Sequence, residues 1–134
     1  MKRRIGNFEL EERIAKGGMG MVYRGRQVNL MNRIVAIKII DKVEARDEEF
    51  VDRFMREAGA AATMNHPNVI QVYDAGVEDG LPFFAMELIQ GENLGERLKR
   101  TGRMRPREAI RMAEGVTRAL VCAYDNGIVH RDIK

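Results

Sequence analysis

One lysine interrupts an otherwise apolar run, Ile34-Val35-Ala36-Ile37-Lys38-Ile39-Ile40. The β-branched residues and the length of this run predict a strand that is buried on both faces. Because an unpaired buried ammonium is energetically costly, Lys38 needs an anion: a carboxylate of the chain, a bound ligand, or both. The alternative is an edge strand whose lysine extends its ammonium into water.

A glutamate occupies a similarly unusual position on a predicted amphipathic helix, residues 46–64. Glu57 falls on the apolar stripe of this helix, three residues after Phe54. A carboxylate that faces a core is as unusual as a lysine in a buried strand, so we predict that Lys38 pairs with Glu57. A surface ion pair between Glu57 and Arg53 is the alternative.

Three glycines, Gly17, Gly18 and Gly20, separate two predicted strands. Such a stretch can simply form the turn of a hairpin. It can also let backbone N–H groups approach phosphate oxygens, because no Cβ obstructs them. A strand rather than a helix follows these glycines, which argues against the dinucleotide-binding fingerprint and against the Walker A loop.

Composition narrows the class of protein. The 134 residues fit one domain, with 45% hydrophobic and 32% charged residues. The net charge is +3, and because both signs are interleaved along the chain, nucleic-acid binding is not expected. A single cysteine, Cys122, cannot form a disulfide within the chain and suits a reducing cytosol. No apolar run is long enough to cross a bilayer, so a cytoplasmic location is expected, with a downstream membrane anchor left open.

Five strands and three helices are predicted to position these residues. The strands are expected at 8–14, 21–28, 34–40, 69–77 and 81–89, and the helices at 46–64, 94–100 and 106–126. Asp47 is predicted to cap the first helix, and Asn126-Gly127 to end the last one. A sheet with one inserted helix, followed by a connector and helical structure, defines an α+β chain.

The order of these motifs resembles that of a eukaryotic-type protein kinase. A glycine hairpin, Val35-Ala36-Ile37-Lys38, a helical glutamate and His130-Arg131-Asp132 follow one another as in that family. Gly17-Gly18-Met19-Gly20 and Phe54-Met55-Arg56-Glu57-Ala58 resemble its bacterial serine/threonine branch. The resemblance implies a kinase N-lobe at residues 1–90, with a five-stranded antiparallel sheet and one long helix. An incomplete helical C-lobe would follow at residues 91–134.

The resemblance also implies an ATP site. The stretch Ile14-Ala15-Lys16-Gly17-Gly18-Met19-Gly20-Met21-Val22 would cover the phosphates. Val22 and Ala36 would sandwich the adenine, and Met86 would lie at the back of its pocket. The carbonyl of Glu87 and the backbone groups of Ile89 would hydrogen-bond the adenine edge. Lys38 would hold the α- and β-phosphates while paired with Glu57.

The last residues of the chain resemble a catalytic loop. Asp132 would orient and deprotonate the substrate hydroxyl, and Lys134 would steady the transferring phosphoryl group. A lysine at that position implies Ser and Thr as acceptors rather than Tyr. The implied enzyme uses ATP and Mg²⁺ on protein substrates, with kinase–kinase dimerisation as a further association and no nucleic-acid partner.

Two departures from the family pattern affect the expected activity. The first glycine of the pattern would stand at position 15, where this chain has Ala15. The protein ligands of Mg²⁺ would lie beyond residue 134, so we expect these 134 residues to be inactive alone. The alternative is a pseudokinase or truncated module that binds nucleotide, or another kinase, without chemistry.

Overall fold

The computed structural model describes residues 3–17, 20–40, 44–130 and 133. The chain divides into two units. The first comprises Met1–Thr63 and Ile70–Leu88, and the second comprises Met64–Val69 and Ile89–Lys134. The sheet and one helix belong to the first unit, and two further helices belong to the second.

An antiparallel sheet of six strands forms most of the first unit as far as it is described. The strands are Arg4–Ile5 (β1), Phe8–Gly17 (β2), Gly20–Gln27 (β3), Arg33–Ile40 (β4), Val72–Glu78 (β5) and Leu81–Met86 (β6). Their order in the sheet is β1-β2-β3-β4-β6-β5. Asp79 and Gly80 join β5 to β6 with φ angles of 50° and 71°, the left-handed pair that a two-residue hairpin turn requires. The hairpin predicted at this point is therefore confirmed.

The predicted number of five strands is wrong by one, because β1 was missed. In β1, Arg4 pairs with Glu9 and Ile5 pairs with Phe8. Two residues are too few to show an alternating pattern, and this strand exists because a tight turn with Gly6 at φ 52° folds it onto β2.

One face of the sheet carries the buried core of the first unit. The buried cluster consists of Ile5, Phe8, Leu10, Val35, Ile37, Ile39, Phe83 and Ala85. The rings of Phe8 and Phe83 pack edge to face, with centroids 6.1 Å apart. Because successive residues of a strand point to opposite faces, Ala36 and Lys38 of β4 point away from this cluster.

Helix α1, Glu48–Thr63, packs against β5 and β6. The carboxylate of Asp47 accepts hydrogen bonds from the N–H groups of Glu49 and Phe50, at 3.0 and 3.2 Å, so the predicted helix cap is confirmed. The ring of Phe54 lies 5.3 Å from that of Phe84 on β6. Since Phe83 and Ala85 belong to the core, α1 lies on the other face of the sheet, where it packs on the β5–β6 end.

The second unit contains helices α2, Leu94–Thr101, and α3, Pro106–Asp125. Asn93 and Glu96 form a reciprocal capping box at the start of α2. An ion pair between Arg97 and Glu108 joins the two helices. No helix in the described ranges is long and apolar enough to cross a membrane.

Helix α3 ends as its sequence predicts. Gly127 adopts a left-handed φ of 74° directly after the terminal Asn126. Its N–H donates to the carbonyl of Tyr124, and the N–H of Ile128 donates to the carbonyl of Ala123, each at 2.9 Å. This pair of bonds is a Schellman motif, in which glycine avoids the steric cost of the left-handed conformation.

Candidate functional site

Four residues of the predicted nucleotide site share one face of the sheet. Val22 lies opposite Lys38 across β3 and β4, and Ala36 lies opposite Met86 across β4 and β6. Directly opposed residues of antiparallel strands point to the same side, as do residues two apart in one strand. The structure therefore brings Val22, Ala36, Lys38 and Met86 together on the face opposite the core.

Lys38 is half-buried on this face. Its Nζ lies 5.9 Å from the ring centroid of Phe84, near the outer limit of a cation–π contact. Among the residues that the structure describes, no carboxylate lies within ion-pair distance of this Nζ. A half-buried lysine that has no carboxylate partner among the described residues is open to an anionic ligand.

Glu57 does not face the core, which corrects the expectation from the helical stripe. It is exposed, and Ala58 is the residue of α1 that is buried. A shift of one residue rotates a helical position by about 100°, so Glu57 lies at the edge of the packed face rather than in it. Within the described residues, Glu57 pairs neither with Lys38 nor with Arg53, whose guanidinium lies 5.6 Å from the ring of Phe50.

The glycine-rich stretch is the tip of the β2–β3 hairpin. Gly17 pairs with Gly20 across it, and Gly18 and Met19 lie outside the described residues. A Cβ at Gly20, where φ is 151°, would overlap the carbonyl oxygen of Ile39. The packing of β3 on β4 therefore requires glycine at this position, whatever the hairpin binds.

Ala15 occupies the position where the kinase pattern has a glycine. It lies opposite Val22 in the sheet, it is exposed, and it is not one of the residues with positive φ in the described chain. Its methyl group therefore causes no backbone strain. Lys16 lies opposite Met21, and Ile14 is 45% exposed beside irregularities in the strand register.

The remaining predicted site residues are only partly described. The N–H of Glu87 donates to the carbonyl of Gln71 at 2.9 Å, which ties the end of the sheet unit to the segment before β5. Ile89 belongs to the second unit and is 56% exposed. Asp132 and Lys134 lie outside the described residues.

Phe84 is the residue of this face that the sequence analysis missed. It lies directly opposite Lys38, contacts it, and packs on Phe54 of α1. A signal for it existed, because Phe84 is two residues before Met86 in a strand and must share its face. Which of the two adjacent phenylalanines faces Lys38 depends on the register of β6 against β4.

Comparison with known proteins identifies the family. The family model described as "Protein kinase domain" matches residues 8–134. The chain belongs to the protein kinase family. This kinase chain is 40% identical over 133 residues to the serine/threonine-protein kinase PrkC of Bacillus subtilis, covering 99% of the chain and 20% of that relative. It is 41% identical over 134 residues to the serine/threonine-protein kinase PknA of Mycobacterium tuberculosis, covering 96% of the chain and 31% of the relative.

A solved kinase has the same fold. The kinase domain of Mycobacterium tuberculosis PknI matches with a TM-score of 0.86 and 27% identity, over 99% of this kinase chain and 55% of that one. The chain therefore spans about half of a solved kinase domain and a fifth to a third of the curated relatives. Protein kinases use ATP and Mg²⁺, and the ammonium of Lys38, which has no described carboxylate partner, is chemically suited to the phosphates of ATP.

Proposed function

We propose that this chain forms the nucleotide-binding part of a serine/threonine protein kinase, which transfers the γ-phosphoryl group of ATP to hydroxyl groups of proteins. The main support is that Val22, Ala36, Lys38 and Met86 lie on one face of the sheet. On this face, the lysine has no carboxylate partner among the described residues. Relatives that carry the name serine/threonine-protein kinase support this choice of activity.

The side chains on this face would divide the recognition of ATP between them. Val22 and Ala36 would contact the two sides of the adenine, and Met86 would close the back of its pocket. The carbonyl of Glu87 and the backbone of Ile89 would hydrogen-bond the adenine edge. Residues 14–22 would cover the phosphates. When bound, ATP would supply the phosphoryl group, and Mg²⁺ would neutralise the charge that develops on the phosphate oxygens.

We propose that Lys38 and Glu57 form an ion pair in the nucleotide-bound state. Two contacts support this pairing: Phe84 touches Lys38, and Phe54, one helical turn before Glu57, packs on Phe84. Residues three apart on a helix are surface neighbours, so a rotation or shift of α1 would bring the carboxylate of Glu57 toward the ammonium.

For the chemical step we propose roles for two residues of the family motif. Asp132 would accept the proton of the substrate hydroxyl, and Lys134 would hold a γ-phosphate oxygen. The support is the sequence His130-Arg131-Asp132 and the family match that runs to residue 134.

We propose further that residues 1–90 and 91–134 belong to different lobes, which the separation into units near Leu88 supports. Protein substrates with Ser or Thr, and a second kinase molecule, are the proposed partners. A cytoplasmic site of action is proposed because ATP is available there and the chain has a single cysteine.

Radioactive phosphoryl transfer in the full-length protein tests this function. Lys38→Met and Asp132→Asn should each reduce autophosphorylation by at least about a hundredfold, because each removes a group that stabilises the transition state or accepts a proton. Lys99→Met, which removes an exposed lysine of α2, is the matched control and should keep full activity. Normal activity in Lys38→Met or Asp132→Asn, or none in the unsubstituted protein, would refute the assignment.

A further inference from the structure

Positive charge is concentrated in one segment of the second unit. Residues 97–111 contain seven of the 23 lysines and arginines and one of the 20 aspartates and glutamates. Their formal charge is +6, whereas the whole chain has a charge of +3, so all other residues together are negative. The interleaving of positive and negative side chains that holds along most of the chain therefore breaks down in this segment.

Part of this charge has a partner or a structural reason. Arg97 pairs with Glu108, and Arg100 pairs with Glu92. Lys99 lies in the last turn of α2, where the helix dipole favours a cation. Four exposed arginines remain without an ion-pair partner in the described part of the chain: Arg103, Arg105, Arg107 and Arg111. These four form what we call the arginine belt.

Folding does not explain the arginine belt. Arg105 is the residue before α3 and makes no capping hydrogen bond with its side chain, and Arg107 lies in the first turn of the helix. Cations at a helix N-terminus oppose the dipole and destabilise by about 0.3–1 kcal/mol each at low salt. Arg105 and Arg107 therefore cost stability in the isolated protein, and a bound anion would remove that cost.

The size and chemistry of the belt define the kind of anion. Arg103 and Arg107 can be at most about 14 Å apart along the chain, and Arg107 and Arg111 are separated by about 6 Å of helix. Chain geometry therefore keeps the backbone of the belt within about 20 Å, a length that a peptide of about six extended residues can cover. Guanidinium groups bind phosphate oxygens in pairs. Residues 97–111 contain no aromatic side chain on which a base could stack, which disfavours single-stranded nucleic acid.

We propose that the arginine belt binds a protein segment phosphorylated on Ser or Thr. The proposal rests on the proposed function, because a serine/threonine kinase produces such segments. Each phosphate carries a charge of about −1.5 to −2 and three acceptor oxygens, so two phosphates would balance the four arginines. The belt would then retain a phosphorylated product, or a substrate that already carries one phosphate, close to the kinase.

Fluorescence anisotropy of a labelled, doubly phosphorylated serine peptide with the purified full chain tests this proposal. The titration contains no ATP, so its result does not depend on catalysis. Arg105→Gln/Arg111→Gln should weaken binding by about tenfold or more, because charge-assisted hydrogen bonds are lost. Arg46→Gln/Arg118→Gln removes two exposed arginines outside the belt and should change the affinity by less than about twofold. Circular dichroism should show equal folding of both variants.

Several outcomes would overturn the proposal. Equal weakening by the belt and control variants would mean that only net charge matters. Equal binding of a peptide with aspartates in place of the phosphoserines would show that the belt recognises negative charge in general and not phosphate. Stronger belt-dependent binding of an oligonucleotide or of phosphatidylserine vesicles would assign the surface to another partner. In the full-length protein, belt variants should keep phosphoryl transfer. Lys38→Met should keep peptide binding, so each of the two proposals can fail without the other.

Discussion

At the scale of single residues, Phe84 connects the predicted site to the rest of the first unit. Its ring contacts the ammonium of Lys38 and the ring of Phe54. The sequence indicated that Lys38 needs an anion, and the structure places no carboxylate beside it among the described residues. The helix instead presents an aromatic side chain to the strand, while the carboxylate of Glu57 remains in water.

Replacing Phe84 should therefore affect stability as well as the site. Phe84→Ala should lower the free energy of unfolding by about 1–3 kcal/mol, because a half-buried ring and its contact with α1 are lost. Phe84→Leu keeps most of the apolar volume and should cost less than half as much. Urea unfolding measures the free energy of unfolding of both variants. Equal stability of Phe84→Ala and the unsubstituted chain would show that the ring does not anchor α1.

A second residue-scale prediction concerns acid titration. The hydrogen bond from Arg100 holds the pKa of Glu92 below its ordinary value. The folded pKa is lowered, so the pair stabilises the fold above the unfolded pKa and loses this effect as the pH falls through the folded pKa. In an NMR titration, Arg100→Gln should raise the pKa of Glu92, whereas Arg103→Gln should leave it nearly unchanged. The same pKa of Glu92 in Arg100→Gln and in the unsubstituted chain would contradict the ion pair.

At the scale of elements, local sequence signals account for most of the helices. Asp47, the hairpin at Asp79-Gly80 and the Asn126-Gly127 terminus were predictable because each depends on residues close in sequence. The positions of β1 and of Glu57 were not. The first depends on pairing with β2, and the second depends on the angle at which α1 meets β6.

Two glycines give opposite predictions for one substitution. Gly59→Ala should stabilise α1 by about 0.5–1 kcal/mol, because an added Cβ meets nothing within 4 Å and alanine favours helices. Gly20→Ala should destabilise the first unit, because its Cβ would overlap the backbone of Ile39. Thermal unfolding followed by circular dichroism compares the two, and a lower midpoint for Gly59→Ala would contradict the described surface of α1.

At the scale of the whole molecule, the second unit presents much apolar surface. Ile110, Val121 and Tyr124 share one side of α3 and are 59%, 55% and 76% exposed. Helices normally bury such an apolar side against a neighbouring element, so this surface of α3 is available for association.

The 134-residue chain should consequently self-associate in solution. Val121→Lys/Tyr124→Lys should shift gel filtration toward the monomer, because lysine on this side of α3 opposes apolar contact. Val77→Lys changes a similarly exposed residue of the first unit, 53% exposed, and should not have this effect. A monomer at every concentration of the unsubstituted chain would contradict the prediction.

The central claim is that one face of the sheet, centred on Lys38, binds the nucleotide. Methyl NMR of the chain during an ATP titration tests it most directly. The methyl groups of Val22, Ala36 and Met86 should show the largest shift changes, and those of Val35 and Ala85 on the opposite face should change little. Shift changes confined to the opposite face, or none in either set at saturating ATP, would contradict the claim.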